Sequence, residues 1–238
     1  MVLFHRTIMA LSVHQLDTNQ GIGSLFFKHP ANIFISGPSG SGKTEFVKKM
    51  IEYKEDLFDI LPQRIVWCYK EWQQAYNILQ ERETIKFIQG IPDDEDEIVT
   101  DASVPHLVIF DDMLGDKDEE KIKLWFTRKG HHRNATVVYI TQNLFQQSKS
   151  SRTISLNAHY LILFQSPRDK MQIKVLSNQL QAPHMIHAFN DATSKPHGYL
   201  LVDLKPNTPE HLRFRTDIFQ HWFTQSDQQG PVVYFPLV

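Results

Sequence analysis

Apolar residues along the chain are concentrated in short runs that are continuous rather than alternating with polar residues. Continuous apolarity is typical of strands buried on both faces of a parallel sheet. The strands predicted on this basis are residues 33–35, 64–69, 85–88, 106–110, 136–140 and 159–164, with further extended segments at 199–204 and 212–219. The pattern therefore predicts a sheet whose central strands are covered on both sides.

Helical periodicity occurs between these runs. Residues 118–128, for example, carry Ile122, Trp125 and Phe126 at helical spacing. Helices are predicted at 43–53, 72–80, 118–128, from 169 onwards and at 185–190. Strands that alternate with helices predict an α/β fold with a doubly wound, mainly parallel sheet flanked by helices, and a ligand at the carboxyl ends of its strands.

The chain is predicted to form one principal domain. Its 238 residues are ample to bury a core, and they show no internal repeat or linker. Residues 31–222 are assigned to this domain, residues 1–30 to an N-terminal extension or edge element, and residues 223–238 to a poorly packed C-terminal tail.

A phosphate-binding motif directly follows the first buried run. The pattern G-x-x-x-x-G-K-[ST] is formed by Gly37, Pro38, Ser39, Gly40, Ser41, Gly42, Lys43 and Thr44. In such a P-loop, backbone N–H groups cradle phosphate oxygens, the lysine reaches the outer phosphates and the hydroxyl holds Mg²⁺. A chance glycine-serine turn is the alternative, but the flanking strand and helix favour phosphate binding. ATP and Mg²⁺ are the expected ligands, and Lys43 is a candidate catalytic residue.

Two carboxylates end the buried run at 107–110. Asp111 is expected to hold Mg²⁺ through its water shell, and Asp112 to polarise the attacking water. A helix cap with a solvated neighbour is the alternative, and the preceding P-loop favours metal binding. Strand 64–69 lies between the two motifs, which indicates the branch of P-loop proteins with a strand inserted between the P-loop strand and the carboxylate strand.

Polar residues Thr141, Gln142 and Asn143 end the next buried run. A polar group at this position would lie beside the γ-phosphate, where it orients water or senses the loss of the phosphate. Ordinary turn chemistry is the alternative, since threonine and asparagine favour turns. Gln142 is the preferred candidate for the functional role.

Basic residues precede the same strand. Arg128 and Arg133 are candidates for an arginine finger that reaches the nucleotide of a neighbouring subunit, or for contacts with phosphates. A basic helix C-terminus that complements the helix dipole is the equally weighted alternative.

Charge is unevenly distributed although the net charge is only −2. Residues 93–120 contain twelve acidic residues and one base, Lys117, which leaves 24 bases against 15 acids in the rest of the chain. The acidic run at 93–97 is interpreted as a solvated loop. The basic remainder permits contact with a phosphate backbone.

Composition favours a soluble, intracellular protein. Cys68 is the only cysteine, so no intrachain disulfide forms, which fits a reducing compartment. No apolar stretch approaches the ~18–20 residues that span a bilayer, and the N-terminus lacks a clean apolar signal core. The histidine pair at 131–132 lacks the i, i+4 spacing of a zinc site. We therefore expect no membrane partner and no metal other than nucleotide-bound Mg²⁺.

The chain resembles the FtsK/HerA-type genome-packaging ATPases of double-stranded DNA viruses, in particular the poxvirus packaging ATPase and those of Polinton or adintovirus-like elements. Three segments carry the resemblance, at 33–44, 107–113 and 132–143. The first is generic, whereas the third, a basic turn leading into a strand that ends in T-Q-N, discriminates between families. One departure is that cellular members carry Asp-Glu where this chain has two aspartates.

The resemblance implies a RecA-like core, a homo-oligomeric ring and ATP-driven translocation of double-stranded DNA into a capsid, with capsid proteins as further partners. It also implies Gln142 as the polar sensor, and a location in the host nucleus, a cytoplasmic virus factory or the virion. Two alternatives remain open: a nucleotide or small-molecule kinase, and a non-hydrolysing module whose nucleotide binding gates partner contacts. The shorter side chain of Asp112 leaves the general-base assignment open.

Overall fold

A computed structural model describes residues 8–12, 25–80, 85–113, 115–144, 148–167, 170–219 and 231–236. Within these residues, ten strands form a single sheet. The strands are β1 (Ile8–Ser12), β2 (Asn32–Ser36), β3 (Arg64–Tyr69), β4 (Ile85–Gln89), β5 (His106–Asp111), β6 (Ala135–Thr141), β7 (Tyr160–Phe164), β8 (Tyr199–Asp203), β9 (Phe214–Thr216) and β10 (Val232–Pro236).

Helices connect most of the parallel strands. They are α1 (Lys43–Glu52), α2 (Lys54–Leu57), α3 (Asn77–Gln80), α4 (Asp116–Leu124), α5 (Gly130–His132), α6 (Lys149–Leu156), α7 (Lys170–Gln179) and α8 (Met185–Ala192). Turns of 3₁₀ helix lie at Gln74–Tyr76, Glu95–Glu97 and Glu210–Leu212, and a π-helical turn lies at Trp125–Lys129. In the part of the chain that the structure describes, no helix is long and apolar enough to cross a membrane.

The strand order is β1-β10-β9-β8-β7-β2-β6-β5-β3-β4. The six strands from β7 to β4 pair in parallel, and the remaining pairs are antiparallel. This arrangement confirms the predicted α/β class, a doubly wound P-loop fold with a strand inserted between β2 and β5. The inserted strand is β6, however, and β3 lies on the far side of β5. Residues 64–69, from which the insertion was inferred, are therefore not the inserted strand.

Both faces of the central parallel strands are buried. Every residue of β5 and β6 is buried. On one face, Val108 and Phe110 belong to a core that includes residues of α4, α6, α7 and α8. On the other face, Leu107 and Ile109 belong to a core that includes residues of α1, α2 and α3. Alternate residues of one strand thus belong to cores on opposite faces of the sheet, which explains why the apolar runs are continuous.

Several predicted segments differ from the structure. The helix predicted at 72–80 is a 3₁₀ turn followed by α3, and the helix predicted at 118–128 is α4 followed by the π-helical turn. The expectation of a poorly packed tail is corrected for β10, which pairs with both β1 and β9 and buries Val233 and Tyr234. Most of the remaining tail lies outside the described residues, and the domain limits stay predictions.

A buried ion pair joins the antiparallel strands β8 and β9. Arg215 Nη2 lies 3.0 Å from Asp203 Oδ2, and the two side chains are only 1% and 0% exposed. Lys205 Nζ lies 3.6 Å from the same carboxylate oxygen. Removing one partner of a buried pair leaves a charge that neither water nor a counter-ion fully compensates.

Replacing Arg215 by methionine is therefore expected to lower the free energy of unfolding by about 3–5 kcal/mol. Urea unfolding followed by circular dichroism measures the change. Lys123→Met is the matched control, because Lys123 pairs with the half-exposed Glu120 on the surface and such pairs contribute only about 0–1 kcal/mol. Equal losses in the two variants would contradict a structural role for the buried pair.

Candidate nucleotide-binding site

The P-loop connects the carboxyl end of β2 to the start of α1, as the motif predicts. Gly42 has a φ of 105°, a left-handed conformation that a residue with a side chain rarely adopts. A Cβ atom at Gly37 would lie 2.6 Å from Phe164 Cβ, so the close approach of β7 also requires glycine there. The glycines of the motif are thus needed for the path of the backbone itself.

The Lys43 side chain folds back over the loop. Its Nζ donates hydrogen bonds to the carbonyl oxygens of Gly37, at 2.6 Å, and Pro38, at 2.9 Å. Burial lowers the pKa of Lys43, while the charges of Asp111 and Asp112 raise it. The ammonium group is therefore held between the loop backbone and the two carboxylates, where it can meet an anionic ligand.

Asp111 is a buried carboxylate at the end of β5. It is 2% exposed, and its Oδ2 accepts a hydrogen bond of 2.6 Å from the Tyr76 hydroxyl. Burial raises the pKa of Asp111 to about 6, although the Tyr76 hydrogen bond and the Lys43 charge act in the opposite direction. Because a nearby positive charge favours the ionised form, this buried carboxylate is suited to a cation.

Asp112 and Gln142 lie at the tips of adjacent strands and contact each other. Asp112 has a φ of 53°, a left-handed conformation that aspartate tolerates better than most residues. Gln142 Nε2 donates a hydrogen bond of 3.3 Å to Asp112 Oδ1. Of the neighbouring polar residues, Thr141 is buried within β6 and Asn143 is exposed. Gln142 is thus the member of the T-Q-N sequence that meets the carboxylates.

These side chains line one cavity of about 300 Å³ beside the P-loop. Its lining residues are Ser39, Gly40, Gly42, Lys43, Thr44, Glu45, Gln73, Ala75, Asp111, Asp112 and Gln142. The residues present fit Mg²⁺, because the Thr44 hydroxyl and the Asp111 carboxylate supply the oxygen ligands that this ion prefers. Residues from all three sequence motifs therefore converge at a single place.

Arg128 and Arg133 lie at the opposite edge of the sheet. Both precede β6, whereas the P-loop follows β2, which runs parallel to β6.

Arg133 is paired with Glu95 at 2.6 Å and with Asp96 at 2.7 Å, and Lys129 is paired with Glu95 at 3.1 Å. The acidic run at 93–97 is thus mostly exposed, as expected for a solvated loop, but two of its residues also pair with the basic turn before β6.

Arg128 lines a second cavity, of about 310 Å³, together with His131, His132 and His159. Neither arginine lines the nucleotide cavity of its own chain. A role for either residue at the nucleotide of a neighbouring subunit stays a prediction.

Two residues of the site lie outside the three sequence motifs and were not predicted. Tyr76, which holds Asp111, lies 35 residues before it in the sequence. His197 lies against the P-loop, where its ring Nδ1 is 3.2 Å from the Ser41 carbonyl oxygen. Nothing in the local pattern around either residue indicates these contacts, because both depend on how distant parts of the sheet come together.

The sequence matches no protein-family model, and no curated protein matches it. Similar solved structures include the genome packaging NTPase B204 of Sulfolobus turreted icosahedral virus 2 in complex with ATP-gammaS. The two are 14% identical with a TM-score of 0.47, over 73% of this chain and 92% of that chain.

Two further similar structures come from cellular organisms. The cytoplasmic domain of the Thermomonospora curvata type VII secretion ATPase EccC is 11% identical with a TM-score of 0.49, over 87% of this chain and 25% of that chain. The KaiC-like protein PH0186 from Pyrococcus horikoshii OT3 is 13% identical with a TM-score of 0.46, over 82% of this chain and 90% of that chain. The chain thus spans about a quarter of the EccC domain.

Replacing Tyr76 by phenylalanine removes the hydroxyl that donates to Asp111 and keeps the ring. We expect the Mg²⁺ concentration for half-maximal nucleotide binding to rise roughly tenfold, because partners that orient a metal-binding carboxylate change metal affinity by about 10- to 100-fold. Nucleotide binding titrated against Mg²⁺ measures this requirement. Tyr69→Phe is the control, because the Tyr69 ring contacts the Tyr76 ring in the same aromatic cluster. An unchanged Mg²⁺ requirement in Tyr76→Phe would count against this role.

Proposed function

We propose that the protein is an ATP-hydrolysing motor that translocates double-stranded DNA and packages a viral genome into a capsid. The observation that carries the hydrolytic part is that Lys43, Asp111, Asp112 and Gln142 line one cavity beside the P-loop. An ammonium, two carboxylates and an amide around a phosphate site are the groups that phosphoryl transfer to water uses.

Different residues of the chain bind the phosphates, activate the water and position the activating carboxylate. The P-loop amides and Lys43 bind and orient the phosphates and stabilise the charge that develops during transfer. Asp112 orients the attacking water and accepts its proton, and Gln142 holds the Asp112 carboxylate through their hydrogen bond of 3.3 Å. Thr44 and Asp111 would hold Mg²⁺, which would supply positive charge to neutralise the phosphates. The reaction thus depends on positioning and charge stabilisation, with no covalent enzyme intermediate.

The coupling to DNA has separate support. The resemblance of residues 132–143 to packaging ATPases favours a homo-oligomeric ring with double-stranded DNA and capsid proteins as partners. Outside residues 93–120, bases exceed acids by 24 to 15, which favours contact with a phosphate backbone. Arg128 is the better candidate for the arginine finger, because two carboxylates already engage Arg133 whereas Arg128 lines an open cavity with histidines.

The test is the rate of ATP hydrolysis with and without duplex DNA, measured together with the native mass. We expect an oligomer whose hydrolysis is stimulated by duplex DNA. Lys43→Ala is expected to lower the rate by about 100-fold or more, because it removes a charge that stabilises the transition state. Lys149→Ala, at an exposed position on α6, is the control and is expected to retain the wild-type rate.

Each other outcome favours a different function. A rate that duplex DNA leaves unchanged, from a strictly monomeric protein, would rule out the motor. Tight nucleotide binding without turnover would favour the nucleotide-gated interaction module. Phosphoryl transfer to an added acceptor would favour a kinase.

A further inference from the structure

A second cavity adjoins the nucleotide cavity on the other side of the α1 N-terminus. Its volume is about 340 Å³, and its walls include Gly42 and Glu45. The same two residues also line the cavity that contains Lys43 and the two aspartates. The two spaces are therefore separated by no more than the first turn of α1, so one ligand molecule can extend from one into the other.

Aromatic rings form the walls of this second cavity. Phe46, Phe164, Tyr199 and Phe219 line it. The ring centroid of Phe46 lies 4.9 Å from that of Phe219 and 4.8 Å from that of Tyr199. Phe46, Phe164 and Tyr199 are buried, whereas Phe219 is half-buried. Phe219 is thus the ring with the most surface free to contact a ligand.

His197 lies where the two cavities meet. It has a φ of 60°, a left-handed conformation that is uncommon for residues other than glycine. Its Nδ1 would lie 3.1 Å from a Cβ atom placed at Gly42, so a side chain at Gly42 would force the ring to shift by a few tenths of an ångström. Gly42 therefore lets the His197 ring pack directly on the P-loop, where it lines the aromatic cavity.

Charged groups are present at the rim as well. Glu45 and Lys49, both exposed residues of α1, line the aromatic cavity. Their carboxylate and ammonium groups supply a hydrogen-bond acceptor and a donor. An aromatic cavity with one acceptor and one donor at its edge is suited to a planar heterocycle that has polar groups on its rim.

We propose that this aromatic cavity binds the nucleobase of the nucleotide whose phosphates occupy the P-loop, and that it prefers a purine. The proposal rests on the proposed function only in requiring nucleotide binding at the P-loop. Stacking on aromatic side chains favours any base, and the larger ring system of a purine offers more surface for it. The shared walls at Gly42 and Glu45 identify the occupant, because a ligand held by its phosphates next door has its base within reach of this cavity.

The test compares the binding of ATP and of inorganic tripolyphosphate, each with Mg²⁺, by isothermal titration calorimetry. Tripolyphosphate carries the phosphates without a base, so it reports on the P-loop alone. Phe219→Ala is expected to weaken ATP binding roughly tenfold, because aromatic stacking on a base contributes about that much. The affinity of the Phe219→Ala variant for tripolyphosphate is expected to stay at the wild-type value. CTP is expected to bind the wild-type protein more weakly than ATP or GTP.

Two further variants control for damage to the fold. Phe219→Tyr keeps an aromatic ring and is expected to retain ATP binding. Phe235→Ala removes a phenylalanine of similar exposure from β10, away from this cavity, and is expected to have no effect on ATP binding. Equal losses of ATP and tripolyphosphate binding in Phe219→Ala would overturn the base pocket, as would unchanged ATP binding. Equal affinity of the wild-type protein for CTP and ATP would overturn the purine preference. If the wild-type protein binds neither ATP nor tripolyphosphate, the nucleotide site itself fails and the base pocket with it.

Discussion

The parallel pairing of β6 with β2 on one side and β5 on the other is the constraint on which the site depends. The register places Ser36 opposite Thr141, and Ile140 opposite Asp111. All three strands therefore end within one residue of each other, and the chain immediately beyond each end supplies the P-loop, Asp112 or Gln142. Backbone hydrogen bonds extend this alignment past the strands, from Gly37 N to Thr141 O at 3.3 Å and from Asp112 N to Ile140 O at 3.2 Å. Since these strands are buried on both faces, a shift in register would disrupt two cores at once.

The two edges of the parallel sheet have different charge arrangements. At the carboxyl edge, two aspartates, Glu45 and one lysine surround the candidate phosphate site. At the amino edge, the acidic run at 93–97 pairs with the basic turn before β6 through Glu95 and Asp96. Part of the acidic run therefore lies against basic residues that are distant in the sequence. Arg128 lines the cavity at this edge together with three histidines.

Contiguous motifs and buried strands could be predicted from the sequence, because each depends on neighbouring residues. The P-loop, the end of β5 and the end of β6 are such features, and the structure brings all three together as expected. Tyr76 and His197 could not be predicted, because their contacts join positions 35 and 156 residues apart. The same limit applies to β10, which pairs with β1 from near the other end of the chain. The position of β6 between β2 and β5 is likewise a property of the sheet order and not of any single segment.

The central claim is that Asp112 and Gln142 act as one unit on the water that attacks the nucleotide. Single-turnover ATP hydrolysis by Asp112→Asn, Gln142→Ala and the double variant tests it most directly, with ATP binding measured in parallel. We expect Asp112→Asn to lower the rate constant by about 100-fold or more while ATP still binds. We expect the double variant to be no slower than Asp112→Asn within roughly twofold, because residues that act as a unit are non-additive. Losses that multiply in the double variant, or a wild-type rate in Asp112→Asn, would contradict the claim.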